Sequence, residues 1–276
     1  MRRKTIAASM AALILCCGAA AALQSPESRE YKQALSLYKA GMYEKARGMF
    51  ETLSEKTDDV LAHGYSVLCA VRMQAEGYQN LIDEYDEKFP YSSLKSEIHY
   101  LNALNLFDAG NYQKASSEFA KVSPRALGKS RTAEFTFKQA YSQFGLGNYA
   151  GAISGFQEVE KMALSDYTAP SRYALGYVNY LDKNFDEAFS WFEKSVKDPR
   201  FSEMSNYYML ECRFMNKDYR YVVENGVTMY DKVPAERKSQ LARLISESYL
   251  VLGDSGKARE YYESTLKTNS SMTRSD

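Results

Sequence analysis

The chain has 276 residues, 45% hydrophobic and 25% charged, proportions that exclude a disordered, a collagen-like and a multi-span membrane protein. Its 35 basic and 35 acidic residues balance, so no global field draws the chain toward nucleic acid or an acidic surface. Only 6 prolines stand against 23 Tyr, 13 Phe and 1 Trp. Few breakers and many large side chains predict helices packed on helices.

Residues 1–22 read as a secretory signal peptide. Arg2, Arg3 and Lys4 form a basic start, residues 6–15 are apolar, and Ala20 and Ala22 supply the small-x-small pattern for cleavage after Ala22. Two other readings of the same residues stay open. The apolar run 6–23 approaches the length of a membrane anchor. Leu13-Ile14-Leu15-Cys16-Cys17 resembles a lipobox, with Leu15 where a small residue is usual, and lipid on Cys16 or Cys17 would tether the chain. Cleavage leaves 32 basic against 35 acidic residues, a net charge of −3. Of the 4 cysteines it leaves Cys69 and Cys212, 143 positions apart; two buried free thiols are expected there.

The rest of the chain repeats. Gly41-Met42-Tyr43-Glu44-Lys45-Ala46 recurs as Gly110-Asn111-Tyr112-Gln113-Lys114-Ala115 and Gly147-Asn148-Tyr149-Ala150-Gly151-Ala152. Variants centre on Phe185 and Ser255, with weaker copies at Tyr78 and Tyr219. The seven marker residues are therefore 43, 78, 112, 149, 185, 219 and 255, spaced by 34 to 37. Nine before each marker stands a mostly small residue (Ala34, Cys69, Ala103, Ala140, Gly176, Leu210, Ser246), and three after it another (Ala46, Leu81, Ala115, Ala152, Ala188, Val222, Ala258). Seven after it a ring is usual: Phe50, Tyr85, Phe119, Phe156, Phe192, Tyr262, but Gly226 in the sixth copy. Spacings of three, four and seven predict a helix, a tight turn and a second helix per copy. Small pairs let the helices approach, the rings wedge between neighbours, and Gly and Asn at the turn supply the left-handed conformation that ends the first helix. Longer gaps predict loops near 123–129 and 163–170, the first a solvated basic loop with Arg125, Lys129 and Arg131.

These features resemble the tetratricopeptide repeat family, whose period and offsets they match over residues 27–268. The resemblance implies an all-α fold, an α-solenoid of about seven helix-turn-helix repeats in which each hairpin covers its apolar face by stacking on the next. It implies one extended domain at 27–268 after the signal peptide at 1–22, with a polar tail at 269–276. Leu210, Val222 and Gly226 depart from the pattern and predict irregular packing in the sixth copy. Phe89-Pro90-Tyr91-Ser92 resembles the inter-repeat turns of bacterial envelope members of the family.

Residue types for catalysis are sparse. His63 and His99 have no cysteine beside them, no spacing matches a zinc or calcium site, and no phosphate-binding loop or nucleophile elbow occurs. The acidic run Asp83-Glu84-Tyr85-Asp86-Glu87 suits an outer, solvated face. No enzyme, cofactor, metal or nucleic-acid partner is expected. Binding to a protein or peptide is.

By the resemblance, two rows on the first helices face the inner groove. Twelve before the markers stand Tyr31, Ser66, Tyr100, Phe137, Tyr173, Tyr207 and Arg243; eight before stand Leu35, Ala70, Leu104, Tyr141, Tyr177, Glu211 and Glu247. Phe137, Tyr141, Tyr173, Tyr177 and Tyr207 would form an aromatic ladder suited to a partner segment, the alternative being that these rings pack between repeats. The expected role is a non-catalytic scaffold exported to the periplasm or cell envelope. A lipid-anchored outer-membrane assembly or cell-wall component, a glycan binder, and the recruiting domain of an enzyme whose catalytic part is absent are the alternatives. The final hairpin is expected to stop near Lys267, leaving Leu250, Tyr261 and Tyr262 uncovered; a longer repeat protein or dimerisation through that end would follow.

Overall fold

A computed structural model describes residues 28–272; the signal peptide, both lipidation candidates and the last four residues lie outside them. The described residues form helices and no strand. In chain order these are α1 (Arg29–Lys39), α2 (Tyr43–Thr57), α3 (Val60–Met73), α4 (Tyr78–Lys88), α5 (Lys95–Asp108), α6 (Tyr112–Ala120), α7 (Pro124–Leu127), α8 (Lys129–Gly145), α9 (Tyr149–Lys161), α10 (Thr168–Leu181), α11 (Phe185–Ser195), α12 (Ser202–Met215), α13 (Tyr219–Tyr230), α14 (Ala235–Val251) and α15 (Ser255–Met272). All seven marker residues are the first residue of a second helix. This is an all-α fold of the solenoid class, built from seven helical hairpins.

The turns explain why the helices break there. Gly41, Gly110, Gly147 and Gly253, two before their markers, have φ of 74° to 86°, the left-handed region that costs a side chain about 1–2 kcal/mol. Lys183 and Lys217 hold the same place at φ 63° and 62°. The next residue behaves differently from the expectation above. Asn148 and Asp218 sit at φ −82° and −84° and are not left-handed. Asn111, Asn148, Asp218 and Asp254 instead accept hydrogen bonds from the backbone N–H groups of Lys114, Gly151, Tyr221 and Lys257, capping the second helix. One residue stops the first helix and its neighbour starts the second.

Two expected loops are shorter than predicted. Residues 124–127 form the single turn α7, and α10 begins at Thr168, with Pro170 in its first turn, where a missing N–H leaves no bond unmade. Helix α15 continues to Met272, beyond the expected end near Lys267. Extending an existing helix through Ser and Thr is far easier than nucleating one.

The chain divides into two compact units. Unit 1 comprises residues 28–108 with Glu118–Ala126, and unit 2 comprises Ala109–Ser117 with residues 127–272; α6 contributes to both. In unit 1, Phe50 from α2 lies edge-on to Tyr31 of its own hairpin at 5.6 Å and stacks on Tyr65 of the next at 5.1 Å. In unit 2, Phe192 from α11 repeats this, packing on Tyr173 at 5.7 Å and stacking on Tyr208 at 5.2 Å. Room for the ring comes from the small residue nine before the marker: a Cβ on Gly176 would lie 2.7 Å from the Phe192 ring. Close approach recurs between α8 and α9, where a Cβ on Gly155 would be 2.6 Å from the Ala140 methyl.

The sixth hairpin lacks this wedge, yet Leu210, Val222 and Gly226 are all buried. A Cβ on Gly226 would meet Ile245 Cγ1 at 3.0 Å. The next hairpin thus sends Ile245 into the space that an aromatic ring fills elsewhere. At the last hairpin, Leu250 and Tyr262 are exposed as expected, but Tyr261 is partly covered, packing on Tyr230 and Tyr249 at 5.3 and 6.0 Å. Cys69 and Cys212 are buried free thiols, and burial pushes both to about 12.

Ala152 is fully buried and Glu44 is exposed. Ala152→Leu is expected to lower unfolding stability by about 1–3 kcal/mol through overpacking, and Glu44→Leu by less than about 0.5 kcal/mol. Chemical denaturation decides; equal losses would mean the repeat register is misassigned.

Candidate functional site

The first helices of unit 2 bring rings together. On α8, Tyr141 and Phe144 lie one turn apart, and on α10 Tyr173, Ala174, Tyr177 and Val178 share a face by their spacing of four. With Tyr208 of α12 these seven side chains line a cavity of about 280 Å³. Ala174 and Tyr208 occupy equivalent positions in successive repeats. The small residue on α10 opens space that the large one on α12 only partly fills.

The rings face one another at contact distance. Tyr173 and Tyr177 are nearly parallel, 4° apart with centroids at 6.5 Å. Tyr177 meets Tyr208 at 5.4 Å and Phe144 at 6.1 Å, both at steep angles. Burial raises the phenol pKa of Tyr141, Tyr173 and Tyr208, so all three keep their O–H as neutral donors. The cavity is apolar in its walls and carries hydroxyls at the ring tips.

Of the five expected ladder residues, Tyr141, Tyr173 and Tyr177 line this cavity and two do not. Phe137 packs against Phe156 and Tyr167 at 5.5 and 5.3 Å, touching Tyr141 from behind. Tyr207 turns to Glu211, donating its O–H to Oε1 at 2.6 Å. Glu211 is buried and also accepts from Tyr180 Oη at 3.4 Å, with Arg243 Nη2 at 3.5 Å and Arg243 in turn near Glu247. The upper end of both rows is therefore an ionic network. In unit 1 the same rows are largely covered: Tyr31, Ser66, Ala70 and Tyr100 are buried, and Leu35 and Leu104 are partly exposed.

Phe144 and Tyr208 were absent from the expected set. Phe144 belongs to a row five before the markers, Tyr38, Met73, Phe107, Phe144, Tyr180, Phe214 and Leu250, which is bulky and apolar throughout. In four hairpins this ring packs on the marker ring across the turn, at 5.5 to 5.9 Å. Tyr208 carries no such signal.

The titratable groups form a separate cluster in unit 1. His99 is buried, with Nδ1 2.8 Å from Glu118 Oε2 and Nε2 3.0 Å from Asp86 Oδ2. Asn102 donates to Glu118 at 2.9 Å, Lys121 pairs with it at 2.8 Å, and Lys95 pairs with Asp86 at 3.2 Å. Asp86 thus leaves the outer face on which its run was expected to lie, although Asp83, Glu84 and Glu87 stay exposed. The imidazole occupies the space between the carboxylates, and among the described residues no group of three such side chains is placed to hold a metal ion. His63 lies at the surface of α3, near Asp58 at 3.3 Å. Among the described residues no helix is long and apolar enough to cross a membrane.

Seven helical hairpins, most of them with a small residue, a turn and a wedge at fixed offsets, define a helical-repeat protein. Two family models for the tetratricopeptide repeat match the chain, at residues 137–202 and 30–56. The chain carries tetratricopeptide repeats. No curated protein matches it. Its fold is similar to that of the C-terminal part of a repeat protein from Cytophaga hutchinsonii, with a TM-score of 0.57 and 17% identity over 86% of this chain and 94% of that one. It is also similar to MamA from Desulfovibrio magneticus RS-1, with a TM-score of 0.55 and 16% identity over 64% of this chain and 96% of that one.

The cluster around His99 makes a prediction about acid. Burial alone would raise Glu118, but hydrogen bonds from His99, Lys121 and Asn102 outweigh it and hold the carboxyl at about 2, against an ordinary 4.5. A lowered folded value contributes stability that is full above the ordinary pKa and is lost as pH falls through the folded one. The expected loss between about pH 4.5 and 2 is on the order of 2–3 kcal/mol. Thermal or urea unfolding across that range measures it, and Glu118→Gln should flatten the slope. An unchanged slope in that variant would show that other carboxylates carry the acid response.

Proposed function

We propose that the chain is a non-catalytic protein-interaction scaffold that holds an extended segment of a partner protein at the tyrosine-lined cavity of unit 2. The observation that carries this reading is the cavity itself, about 280 Å³ with five aromatic rings from three successive hairpins. Its size suits one bulky apolar side chain, and rigid rings with polar tips form good interface anchors at small entropic cost. The hydroxyls offer hydrogen bonds to the segment's backbone. Membership of a repeat family that presents rows of side chains supports the same reading. The basic start and the Ala20-x-Ala22 pattern support export to the periplasm or envelope.

Two measurements test the proposal. Cross-linking and pull-down from intact envelopes should recover a protein partner. Capture should fall by about ten-fold or more with Tyr177→Ala, an anchor truncation of about 1.4 kcal/mol or above. Tyr91→Ala, at a residue 99% exposed outside the cavity, is the control and should leave capture unchanged. Equal capture by both variants would remove the cavity from the reading. Mass spectrometry of the envelope fraction should find a first residue of Leu23 without lipid; a diacylglycerol on Cys16 or Cys17 would make the chain a membrane-anchored component instead.

A further inference from the structure

The turns of unit 2 carry a surface that the cavity does not use. Leu146 and Tyr149 at the α8/α9 turn, Leu181 at the α10/α11 turn, Met215 at the α12/α13 turn, and Leu250, Val251 and Leu252 at the α14/α15 turn are 39% to 62% exposed. Single exposed apolar residues are ordinary in soluble proteins. Large ones at the turns of four consecutive hairpins form a band along one edge, which is not. Neighbouring turns adjoin: Asn216 Nδ2, just past the end of α12, donates to Asp186 Oδ1, at the start of α11, at 2.8 Å. The α3/α4 and α5/α6 turns place Ala75-Glu76 and Asp108-Ala109 there instead, and the α1/α2 turn carries a single exposed apolar residue, Met42.

The charges within the band indicate what covers it. Its middle turns carry Asp182 with Lys183 and Lys217 with Asp218, all exposed, and these sum to zero. A surface for nucleic acid or an anionic membrane needs a surplus of positive charge, and this one has none. Equal and opposite charges flanked by apolar ends match the same surface turned through a two-fold axis. We propose that the turn edge of unit 2 is the docking site for a second copy of this chain, paired antiparallel. An axis between the two middle turns brings Asp182 and Lys183 of each copy against Lys217 and Asp218 of the other. The uncharged turn of Leu146 and Tyr149 then meets Leu250, Val251 and Leu252.

Sedimentation velocity of the full chain over a concentration series tests this pairing. A dimer is expected, and Leu181→Glu with Met215→Glu should raise its dissociation constant by at least about ten-fold. Charge variants probe the pairing without touching the apolar residues. Lys183→Asp with Lys217→Asp makes both middle turns wholly acidic, and Asp182→Lys with Asp218→Lys makes them wholly basic. Each variant should be monomeric alone, and an equimolar mixture should form the heterodimer; circular dichroism melts establish that each is folded. A wild-type chain that is monomeric at every concentration would overturn the proposal. So would a dimer indifferent to all these substitutions, or a mixture that stays monomeric.

Discussion

The structure depends on one recurring contact, a ring on a second helix held between the first helices on either side of it. Phe50 and Phe192 each touch an aromatic residue in their own hairpin and stack on another in the next. A hairpin of about 30 residues cannot bury enough surface to be stable alone, so this shared ring gives folding its cooperativity. The small residue nine before each marker follows from it. Where Gly176 faces Phe192, even a methyl group would intrude on the ring. Where the ring is absent, at Gly226, the space does not stay empty, because dense packing recruits Ile245 from the next hairpin. The constraint is on volume, and residue identity follows it loosely.

That looseness decides how much was legible in the sequence. The turn residue sets a backbone angle and the ring sets a volume, and both recur at fixed offsets; the seven markers therefore located the start of every second helix. The left-handed role assigned to Asn148 failed because Gly147 beside it already supplies that conformation, leaving the amide free to cap. Tyr208 escaped notice for a different reason. Its position holds Lys32, Val67, Leu101, Lys138, Ala174 and Leu244 in the other repeats, so no pattern marks it. It becomes a cavity wall only because its neighbour in the preceding repeat, Ala174, is small. Asp86 and Glu118 were illegible in the same way: their meeting at His99 joins residues from three helices, and no single helical period encodes that.

The two units use one pair of rows for different ends. In unit 1 the row eight before the markers holds Leu35, Ala70 and Leu104, small enough for their neighbours to close over Tyr31 and Tyr100. In unit 2 it holds Tyr141 and Tyr177. Both of these phenols stay partly exposed, and a hydroxyl in water avoids the cost of burial without a partner. Tyr141 leans on Phe144 at 5.8 Å, and Tyr177 on Tyr173 at 6.5 Å. Farther along, Glu211 takes the same place and draws two tyrosine hydroxyls and Arg243 toward itself. One structural position thus passes from core, to aromatic wall, to ionic network as the residue placed there grows longer and more polar.

The row five before the markers connects that wall to the turns. Phe144 lines the cavity through its contact with Tyr177 and packs on Tyr149 across its own turn at 5.9 Å. Tyr180 stands likewise between Tyr208 and Phe185, at 5.2 and 5.8 Å. Both turns are set by one residue in the left-handed region, Gly147 at φ 74° and Lys183 at φ 63°. The lysine pays there a steric cost that glycine does not, so the two turns are not equally rigid choices of backbone. Phe144 walls the cavity itself, whereas Tyr180 touches that wall through Tyr208. The cavity's rings on α8 and α10 thus stand three to ten residues before turn residues, Gly147 and Lys183, that do not themselves line it.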